Sequence, residues 1–380
     1  MILGINASRG RSGGARAHLV GILGEGDPAS HGISRVHVWS YRALLDALPD
    51  RAWLSCHGPE ALSGSLQRQV RWERFELPSQ LRATGCDVLL NIDAGTVCRF
   101  APAVTMSRDM LSYEPGEMQR YPAGKAWARL LALRYLQNRS LRSAQAVIFL
   151  SRHAAAMIQR SCGTISHWAL IPHGVGEAFR NAPPPRPWPA PGTRPVRCVY
   201  VSPLWRFKHQ WIVVQAVEQL RSKGHDLTLT IAGDGDDDAK ALLAAQVARS
   251  DPGGRFVTRL GHVPHDRLPG LLADTDLFVF ASSCENMPNT VLEAMAVGLP
   301  IACSDRGPMP EVLGDGGVYF DPENAASIAT AIESLVVDPD LRERVARRAK
   351  ERAAGYSWAR CARETFDYVV RTHQRWLGTP

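Results

Sequence analysis

The feature that most constrains the fold of this chain is a repeated alternation of short apolar runs with segments of helical periodicity. Continuous apolar runs of four to seven residues, separated by helices, are typical of parallel strands that are covered on both faces. The sequence therefore predicts two α/β units with parallel sheets. The runs lie at 2–6, 87–93, 103–106, 146–151 and 168–172 in the first half, and at 196–202, 227–233, 255–261, 276–282, 300–305 and 317–321 in the second.

The domain organisation follows from length and from one proline-rich segment. A chain of 380 residues is too long for one ordinary core. Residues 181–195, NAPPPRPWPAPGTRP, hold too much proline for a helix or a central strand, which predicts an extended linker. We expect an N-terminal domain at 1–180, a C-terminal domain at 196–356, and a final helix at 357–380 that packs back on the first domain. A cleft between the domains is the expected ligand site.

Composition excludes several classes of protein. Hydrophobic residues make up 45% of the chain and charged residues 21%, which describes a globular protein. There is no apolar run of about 18 residues and no basic start followed by an apolar stretch, so we expect neither a transmembrane helix nor a secretory signal. The eight cysteines are widely spaced, which predicts reduced cytosolic thiols and no zinc site. The net charge of +7 is scattered and no recognition motif is present, so a nucleic-acid partner is not expected.

Two glutamates, Glu285 and Glu293, stand eight positions apart where a buried strand gives way to a helix. Pro288 suits the first helical turn, and Asn286 or Asn289 is expected to cap it. Ligands of open parallel sheets bind beyond the carboxyl ends of the strands, where a helix N-terminus attracts phosphate groups. We expect free N–H groups at 289–291 to form such an anion site. The alternative is that Glu285 only favours the helix dipole and that Glu293 is a surface residue.

Four motifs together resemble a known family, the retaining nucleotide-sugar glycosyltransferases of family 4. They are the Glu285–Glu293 pair, P-E-V-L-G-D at 310–315, I-P-H-G-V at 171–175 and G-D-G at 233–235. The resemblance covers essentially the whole chain and is strongest from about 196 to 322. It implies the GT-B fold, in which two facing Rossmann-like domains with parallel sheets border an interdomain cleft.

The resemblance also implies roles for residues of the second domain. Lys208 and Glu285 would be catalytic, and Arg206 would join them because Pro203 stands where the family usually has arginine. Glu293 would hold the ribose, while backbone near Val263 would read the nucleotide base. The implied donor-binding residues are Gly14, Gly233, Gly235, Val263, Met287, Pro288, Asn289, Thr290, Val291 and Glu293.

The chemistry of the departing group indicates that no metal cofactor is needed. A nucleoside diphosphate develops negative charge as it leaves, and a lysine, a guanidinium and a helix N-terminus can stabilise that charge. The acidic run at 233–238 does not have the spacing of a calcium-binding loop. We therefore interpret this run as a solvated turn, and the nucleotide-sugar as a co-substrate.

Two places in the first half are candidates for contact with the acceptor or the transferred sugar. Ser12, Gly13 and Gly14 follow the first strand and resemble the glycine loop of the family, and they do not form the G-x-G-x-x-G of a dinucleotide site. Arg108 and Asp109 stand where many family members carry a histidine. The alternative for this pair is a plain local ion pair.

The segment at 121–145 predicts a basic amphipathic helix. Such a helix is suited to an anionic membrane surface, although an ordinary domain helix would have the same pattern. Its basic and apolar residues are Lys125, Arg129, Arg134, Arg139 and Arg142 with Trp127, Leu130, Leu131 and Tyr135.

These features together predict a retaining hexosyltransferase. It would move a sugar from GDP-mannose or a UDP-sugar to a hydroxyl of a growing, lipid-linked glycan in the synthesis of O-antigen, capsule or exopolysaccharide. We expect it in the cytoplasm, at the inner face of the membrane. The alternatives are another GT-B enzyme, such as a sugar-nucleotide epimerase or a glycogen-type synthase, and an inactive nucleotide-binding or scaffold subunit.

Overall fold

The structure, a computed structural model, describes residues 1–11, 13–121 and 124–378. The chain forms two compact units. The first unit comprises Met1–Gly174 together with the segment that begins at Ser357, and the second comprises Val175–Tyr356.

The first unit is built on a parallel sheet whose described strands number seven, in the order β3-β2-β1-β4-β5-β6-β7. Strands β4 and β6 are buried along their whole length, which is why they read as continuous apolar runs. The strands are β1 (Ile2–Asn6), β2 (Arg35–Trp39), β3 (Leu54–His57), β4 (Val88–Asn91), β5 (Ala103–Met106), β6 (Ala146–Phe149) and β7 (Trp168–Leu170).

Helices cover this first sheet and connect its strands. They are α1 (Gly13–Glu25), α2 (Arg42–Leu45), α3 (Leu66–Arg71), α4 (Leu77–Ala83), α5 (Lys125–Ser143) and α6 (Arg152–Cys162). Short 3-10 turns lie at Pro28–His31, Glu60–Ser63 and Glu117–Arg120, and a π-helical turn at Trp72–Glu76.

Two strands of the first unit, β2 and β3, were not predicted from the sequence. Polar side chains interrupt both of them, so neither forms an apolar run. His37 of β2 stacks on Trp39 and on His57 of β3, with ring centroids 5.9 and 5.1 Å apart. The two valines of β2, Val36 and Val38, are nevertheless fully buried.

The second unit has a parallel sheet of six described strands, and each coincides with an apolar run of the sequence. Their order is β10-β9-β8-β11-β12-β13. The strands are β8 (Val196–Val201), β9 (Leu227–Ala232), β10 (Val257–Gly261), β11 (Leu277–Phe280), β12 (Ile301–Ser304) and β13 (Val318–Phe320). The helices are α7 (Glu177–Arg180), α8 (Gln210–Ser222), α9 (Asp237–Ser250), α10 (Leu268–Ala273), α11 (Asn289–Val297), α12 (Met309–Leu313), α13 (Ala325–Val337) and α14 (Pro339–Ala353), with 3-10 turns at Arg206–Lys208 and His265–Arg267.

The boundary between the units lies at Val175, a few residues before the predicted boundary at 180. Helix α7 belongs to the second unit because its apolar residue is buried there. Phe179 is 1% exposed, and its ring lies 5.2 Å from that of His265.

The proline-rich segment at 181–195 is part of the second unit and is held by charged contacts. Arg194 donates to both carboxylate oxygens of Asp276, at 2.6 and 2.8 Å. The guanidinium of Arg342 lies 3.8 Å from the ring centroid of Trp188. Because both contacts are made within the unit, the prolines extend the chain along its surface.

The first unit is completed by α15 (Trp358–Trp376), which packs against α1. Its first residue, Trp358, lies 5.7 Å from the rings of both His18 and His173. A Cβ atom at Gly21 would come within 2.3 Å of that indole, so the helices require glycine there. No helix in the described residues is long and apolar enough to cross a membrane.

A buried histidine pair lies beneath Trp358. His18 Nδ1 and His173 Nδ1 share a hydrogen bond of 2.9 Å. Burial lowers the pKa of both rings well below 6.5, and the positive charge of Arg108 lowers it further. The native state therefore keeps both imidazoles neutral.

We expect the chain to lose stability as the pH falls below 6.5, since the unfolded histidines bind protons that the folded ones do not. The loss is about 1.4 kcal/mol per pH unit for each histidine. Substitution His173→Asn removes one of the titrating rings, so the melting temperature should fall less between about pH 7.5 and about pH 5.5, on either side of the ordinary histidine pKa. The exposed control, His167→Asn, should behave as the wild type does. Identical pH profiles for His173→Asn and the wild type would contradict this prediction.

Candidate functional site

The order in which the chain adds strands to the second sheet reverses between β8 and β11. The chain leaves β8 to build β9 and β10 on one side, and later returns to place β11 on the other side. Loops that follow the two strands meet at this switch point, where parallel sheets bind ligands. The structure brings Lys208, from the loop after β8, together with Glu285, from the loop after β11.

Lys208 and Glu285 form a hydrogen-bonded ion pair between Nζ and Oε1. The lysine side chain is 6% exposed and the glutamate side chain 13%. The ammonium lies 5.0 Å from the ring centroid of Phe280 and 5.4 Å from that of Phe207. A point charge in such a sheltered place interacts with a bound anion more strongly than it would in water.

The turn that carries Lys208 is fixed from both sides. His209 has a left-handed backbone, with φ of 51°, and its Nε2 shares a 2.9 Å hydrogen bond with Ser283 Oγ. Ser283 N donates to Phe207 O at 2.9 Å, and the Tyr200 hydroxyl donates to the carbonyl of Lys208. A left-handed histidine is uncommon and persists where its surroundings hold it. His209 and Ser283 were not predicted, because nothing in the sequence links positions so far apart.

The two glycines of G-D-G allow the backbone to approach the loop that leads to Lys208. A Cβ atom at Gly233 would lie 1.8 Å from Ser202 O, and one at Gly235 would lie 2.1 Å from Leu204 O. Backbone hydrogen bonds join Leu204 to the same turn. Both glycines are therefore needed for packing, and their predicted contact with a donor remains a prediction.

Arg206, predicted to join the Lys208 pair, is paired with Asp238. Its Nη2 donates to Asp238 Oδ2 at 2.9 Å, near the start of α9. Asp234 binds Lys240 at 2.7 Å, and the hydrogen bond to that lysine lowers the pKa of the Asp234 carboxyl. Asp234 and Asp238 of the acidic run are thus exposed and paired with cations. Within the described ranges, no group of three or more His, Cys, Asp or Glu side chains is placed to hold a metal ion.

The start of α11 differs from the prediction that an asparagine caps it. The helix begins at Asn289 with Pro288 in the capping position, and no side chain makes the capping hydrogen bond, neither that of Asn286 nor that of Asn289. Proline has no side-chain acceptor, and its fixed φ holds the turn instead. The helix ends at Gly298, which is left-handed.

Two of the three backbone amides predicted to be free at this helix start already donate to backbone carbonyls. Asn289 N donates to Met287 O, and Val291 N donates to Pro288 O, both at 3.1 Å. Thr290 N donates to no backbone carbonyl in the part of the chain that the structure describes. The other two amides donate to carbonyls of the tight turn at Met287 and Pro288. The anion site predicted here therefore has fewer free N–H donors than expected.

Glu293 is buried, at 8% exposure, and is therefore not the surface residue of the alternative interpretation. Its Oε1 accepts a hydrogen bond of 2.8 Å from Nε2 of His265, whose side chain is 61% exposed. His265 follows the loop at Val263, which is partly buried. The sequence gave no signal for His265 beyond its nearness to this loop.

In the first unit, the predicted glycines open α1. Gly13 is the first residue of the helix and Gly14 the second. A Cβ atom at Gly13 would meet nothing within 4 Å, so neighbouring atoms do not require glycine there. Ser12, predicted to belong to the same loop, lies outside the described residues.

Arg108 and Asp109 follow β5 at the carboxyl edge of the first sheet. They form no ion pair with each other in the described residues. Asp109 instead accepts from Leu111 N at 3.0 Å and from Gln137 Nε2 at 3.3 Å. Burial lowers the pKa of Arg108 to about 10. Burial also raises the pKa of Asp93, which follows β4 and was not predicted, to about 6.

The second unit matches a known family over most of its length. Residues 189–352 match the family model described as glycosyl transferases group 1. This segment belongs to that family. The family resemblance noted from the motifs is thereby confirmed for the group 1 segment.

Two relatives share about a third of their aligned residues with this chain. O-antigen chain mannosyltransferase B of Escherichia coli is 35% identical over 112 residues, which cover 30% of this chain and 29% of that protein. Glycogen synthase of Mycobacterium tuberculosis is 33% identical over 205 residues, which cover 52% of this chain and 49% of that protein. The alignments thus span less than half of each relative.

Solved structures match the fold over the whole chain. Sucrose-phosphate synthase of Thermosynechococcus elongatus is 17% identical with a TM-score of 0.74, covering 100% of this chain and 99% of that one. HepE of Anabaena, solved with UDP-glucose, is 18% identical with a TM-score of 0.71 and the same coverage. WaaG, a glycosyltransferase involved in lipopolysaccharide biosynthesis, is 15% identical with a TM-score of 0.70, covering 97% and 99%. The predicted α/β fold class, GT-B with two Rossmann-like sheets, is confirmed.

We expect Gly233→Ala to destabilise the group 1 segment by about 2 kcal/mol or more, because the new methyl group would collide with a backbone carbonyl. Gly270→Ala in α10 is the matched control, since a Cβ atom there meets nothing within 4 Å. Urea unfolding of both variants measures the difference. Equal stabilities would show that the loop at Ser202 moves aside at little cost.

Proposed function

We propose that the chain is a retaining hexosyltransferase that moves a sugar from a nucleotide diphosphate donor to a hydroxyl of a growing glycan. The observation that carries this proposal is the sheltered Lys208–Glu285 pair at the switch point of a group 1 segment. The names of the relatives support transfer of a hexose, as in the mannosyltransferase of Escherichia coli.

The proposed role of Lys208 is to stabilise the departing nucleoside diphosphate. When the bond between the sugar C1 and the β-phosphate oxygen breaks, its electron pair stays on the phosphate. The ammonium of Lys208 and the N–H of Thr290 at the start of α11 would stabilise that charge. Glu285 would hold the ammonium in place and accept a hydrogen bond from the sugar. We expect these groups to act without a metal ion.

Glu293 would accept hydrogen bonds from the hydroxyls of the donor ribose. A carboxylate has two acceptor oxygens and so suits a vicinal diol. His265 already holds Oε1, which fixes the orientation of the carboxylate before the nucleotide binds. Such preorganisation reduces the cost of binding.

Retention of configuration would follow from attack on the face that the phosphate leaves. The acceptor oxygen forms its bond to C1 on that face, and its proton passes to an oxygen of the leaving phosphate. No separate base is then required. The donor would be GDP-mannose or a UDP-sugar, since one relative is named as a mannosyltransferase and HepE was solved with UDP-glucose.

The first unit would hold the acceptor, with Gly13, Gly14, Arg108 and Asp109 as candidate contacts. The proposed acceptor is a lipid-linked glycan of a surface polysaccharide, at the cytoplasmic face of the membrane. WaaG, which is involved in lipopolysaccharide biosynthesis, and the O-antigen mannosyltransferase of Escherichia coli support this assignment.

We expect Lys208→Ala to lower the rate of sugar transfer by about 100-fold or more, because it removes charge stabilisation in the transition state. Glu293→Gln should weaken nucleotide binding instead, since it loses a charged acceptor for the ribose. Thermal shift with UDP, GDP, ADP and CDP identifies the nucleotide, and donor turnover with that nucleotide-sugar measures transfer. Lys223→Ala, an exposed lysine paired with Glu333, is the control.

Three results would count against the proposal. Unchanged turnover in Lys208→Ala would remove the lysine from the mechanism. Nucleotide binding without any turnover or donor hydrolysis in the wild type would favour the inactive scaffold subunit. Conversion of the donor sugar without transfer would favour the epimerase alternative.

Helix α5 supports contact between the first unit and an anionic membrane. Its first turn is exposed, and Trp127 and Tyr135 are exposed at 40% and 70%. Farther along, a surface groove of about 340 Å³ is lined by Tyr135, Arg139 and Arg142. Basic residues with an exposed aromatic ring suit the headgroup region of a bilayer.

We expect the chain to sediment with phosphatidylglycerol vesicles and not with phosphatidylcholine vesicles. The double variant Trp127→Ala and Arg129→Gln should reduce that binding, since it removes an apolar anchor and about 1 kcal/mol of charge attraction. Arg35→Gln, at the amino end of β2, should leave vesicle binding unchanged. Equal binding to both kinds of vesicle would argue against an electrostatic membrane contact.

A further inference from the structure

The first sheet has its own switch point, between β1 and β4. The loops that follow these strands, and the loop after β5 beside them, carry Arg9, Asp93 and Arg108. The order of the strands is the same as in the second unit, where Lys208 and Glu285 meet at the corresponding place. The carboxyl edge of the first sheet is therefore an expected ligand site in its own right.

The floor of this edge is a fully bonded polar network around Glu73, which is 1% exposed. Glu73 Oε1 accepts from Asn6 Nδ2 at 2.9 Å and from Thr96 Oγ1 at 2.6 Å. Its Oε2 accepts from Arg9 at 2.8 Å. The π-helical turn that carries Glu73 is a feature often found at functional sites. The guanidinium of Arg9 is thus paired with Glu73. The same carboxylate joins the loops after β1 and β4 through its hydrogen bonds to Arg9 and Thr96.

Arg108 is the second cation at this edge, and no carboxylate in the described residues forms an ion pair with it. Its Nη1 is buried and makes no hydrogen bond in the described part of the chain. The carboxylate of Asp109 is engaged by Leu111 N and Gln137 Nε2. Asp93 acts on Arg108 only through its charge, and its Oδ1 accepts from Gly95 N at 2.6 Å.

The other groups that face Arg108 cannot neutralise it. His18 and His173 are neutral or would add positive charge, and the Cys361 thiol is buried, which raises its pKa to about 12. A buried cation without a hydrogen-bonded anion is unfavourable and calls for an explanation. A guanidinium fork matches the two oxygens of a carboxylate or phosphate.

We propose that Arg108 binds an anionic group, a carboxylate or a phosphate monoester, carried by the sugar that the first unit binds. Asp93 lies beside it and would accept a hydrogen bond from a neighbouring hydroxyl of the same sugar. The inference rests on the proposed transferase function and adds the chemical class of the substrate on the acceptor side. A neutral sugar would leave the guanidinium without a hydrogen-bonded anion.

The test is saturation-transfer NMR with glucuronate, glucose 6-phosphate and glucose as probes. The wild type should bind at least one anionic sugar and bind glucose far more weakly, and the better of the two anionic probes identifies carboxylate or phosphate. Arg108→Gln should weaken that binding by about tenfold or more, and Arg108→Lys, which keeps the charge and loses the fork, should weaken it less. Arg35→Gln removes the same charge at the opposite edge of the sheet and should bind as the wild type does.

Equal binding of glucose and the anionic sugars, binding of none of them, or unchanged binding by Arg108→Gln would overturn the proposal. Circular dichroism and melting of Arg108→Gln show whether the first unit is still folded, and Arg108→Lys provides the second variant. Nucleotide binding, measured on the same samples, separates this inference from the transferase function. A wild type that binds nucleotide but no anionic sugar contradicts only the role of Arg108.

Discussion

The ion pair between Lys208 and Glu285 is the interaction on which the carboxyl edge of the second unit depends. A buried pair of charges is tolerated only when both partners are present and well oriented, and loss of one leaves the other uncompensated. The surrounding contacts meet that requirement. His209 and Ser283 join the loops after β8 and β11, and the Tyr200 hydroxyl fixes the carbonyl of Lys208 itself. The glycines of the neighbouring turn let a third loop approach the same place. The charged groups at this edge are thus held in place by contacts within the protein itself.

The strands that could be predicted from the sequence are mostly those in which several consecutive residues are buried and therefore apolar. Strands β6 and β11 are buried and apolar along their whole length, whereas β2 was missed because His37 interrupts its apolar residues. The candidate site shows the same limit. Lys208, Glu285 and Glu293 lie in recognisable motifs, but His265 reaches Glu293 only through a tertiary contact. The expected asparagine cap was wrong because Pro288 occupies that position.

The two units share one strand order but pair the cation that follows their first strand with different partners. In the second unit, the cation after the first strand is paired with the acid after the fourth. In the first unit, Arg9 is paired with Glu73, which comes from a π-helical turn outside the sheet. That arrangement leaves Asp93 and Arg108 without a hydrogen bond between them at the same edge. The difference matters because a cation already paired within the protein contributes less to ligand binding than one that the ligand itself must neutralise.

The return of α15 to the first unit has a consequence for biosynthesis. The second unit is contained within the sequence of the first, so all of its residues leave the ribosome before Trp358 does. Domains generally fold as units in the order in which they are made. Here that order is inverted. The face of α1 at His18 and Gly21, which Trp358 covers in the folded chain, stays uncovered while the second unit is synthesised, and the first unit is the last to be completed.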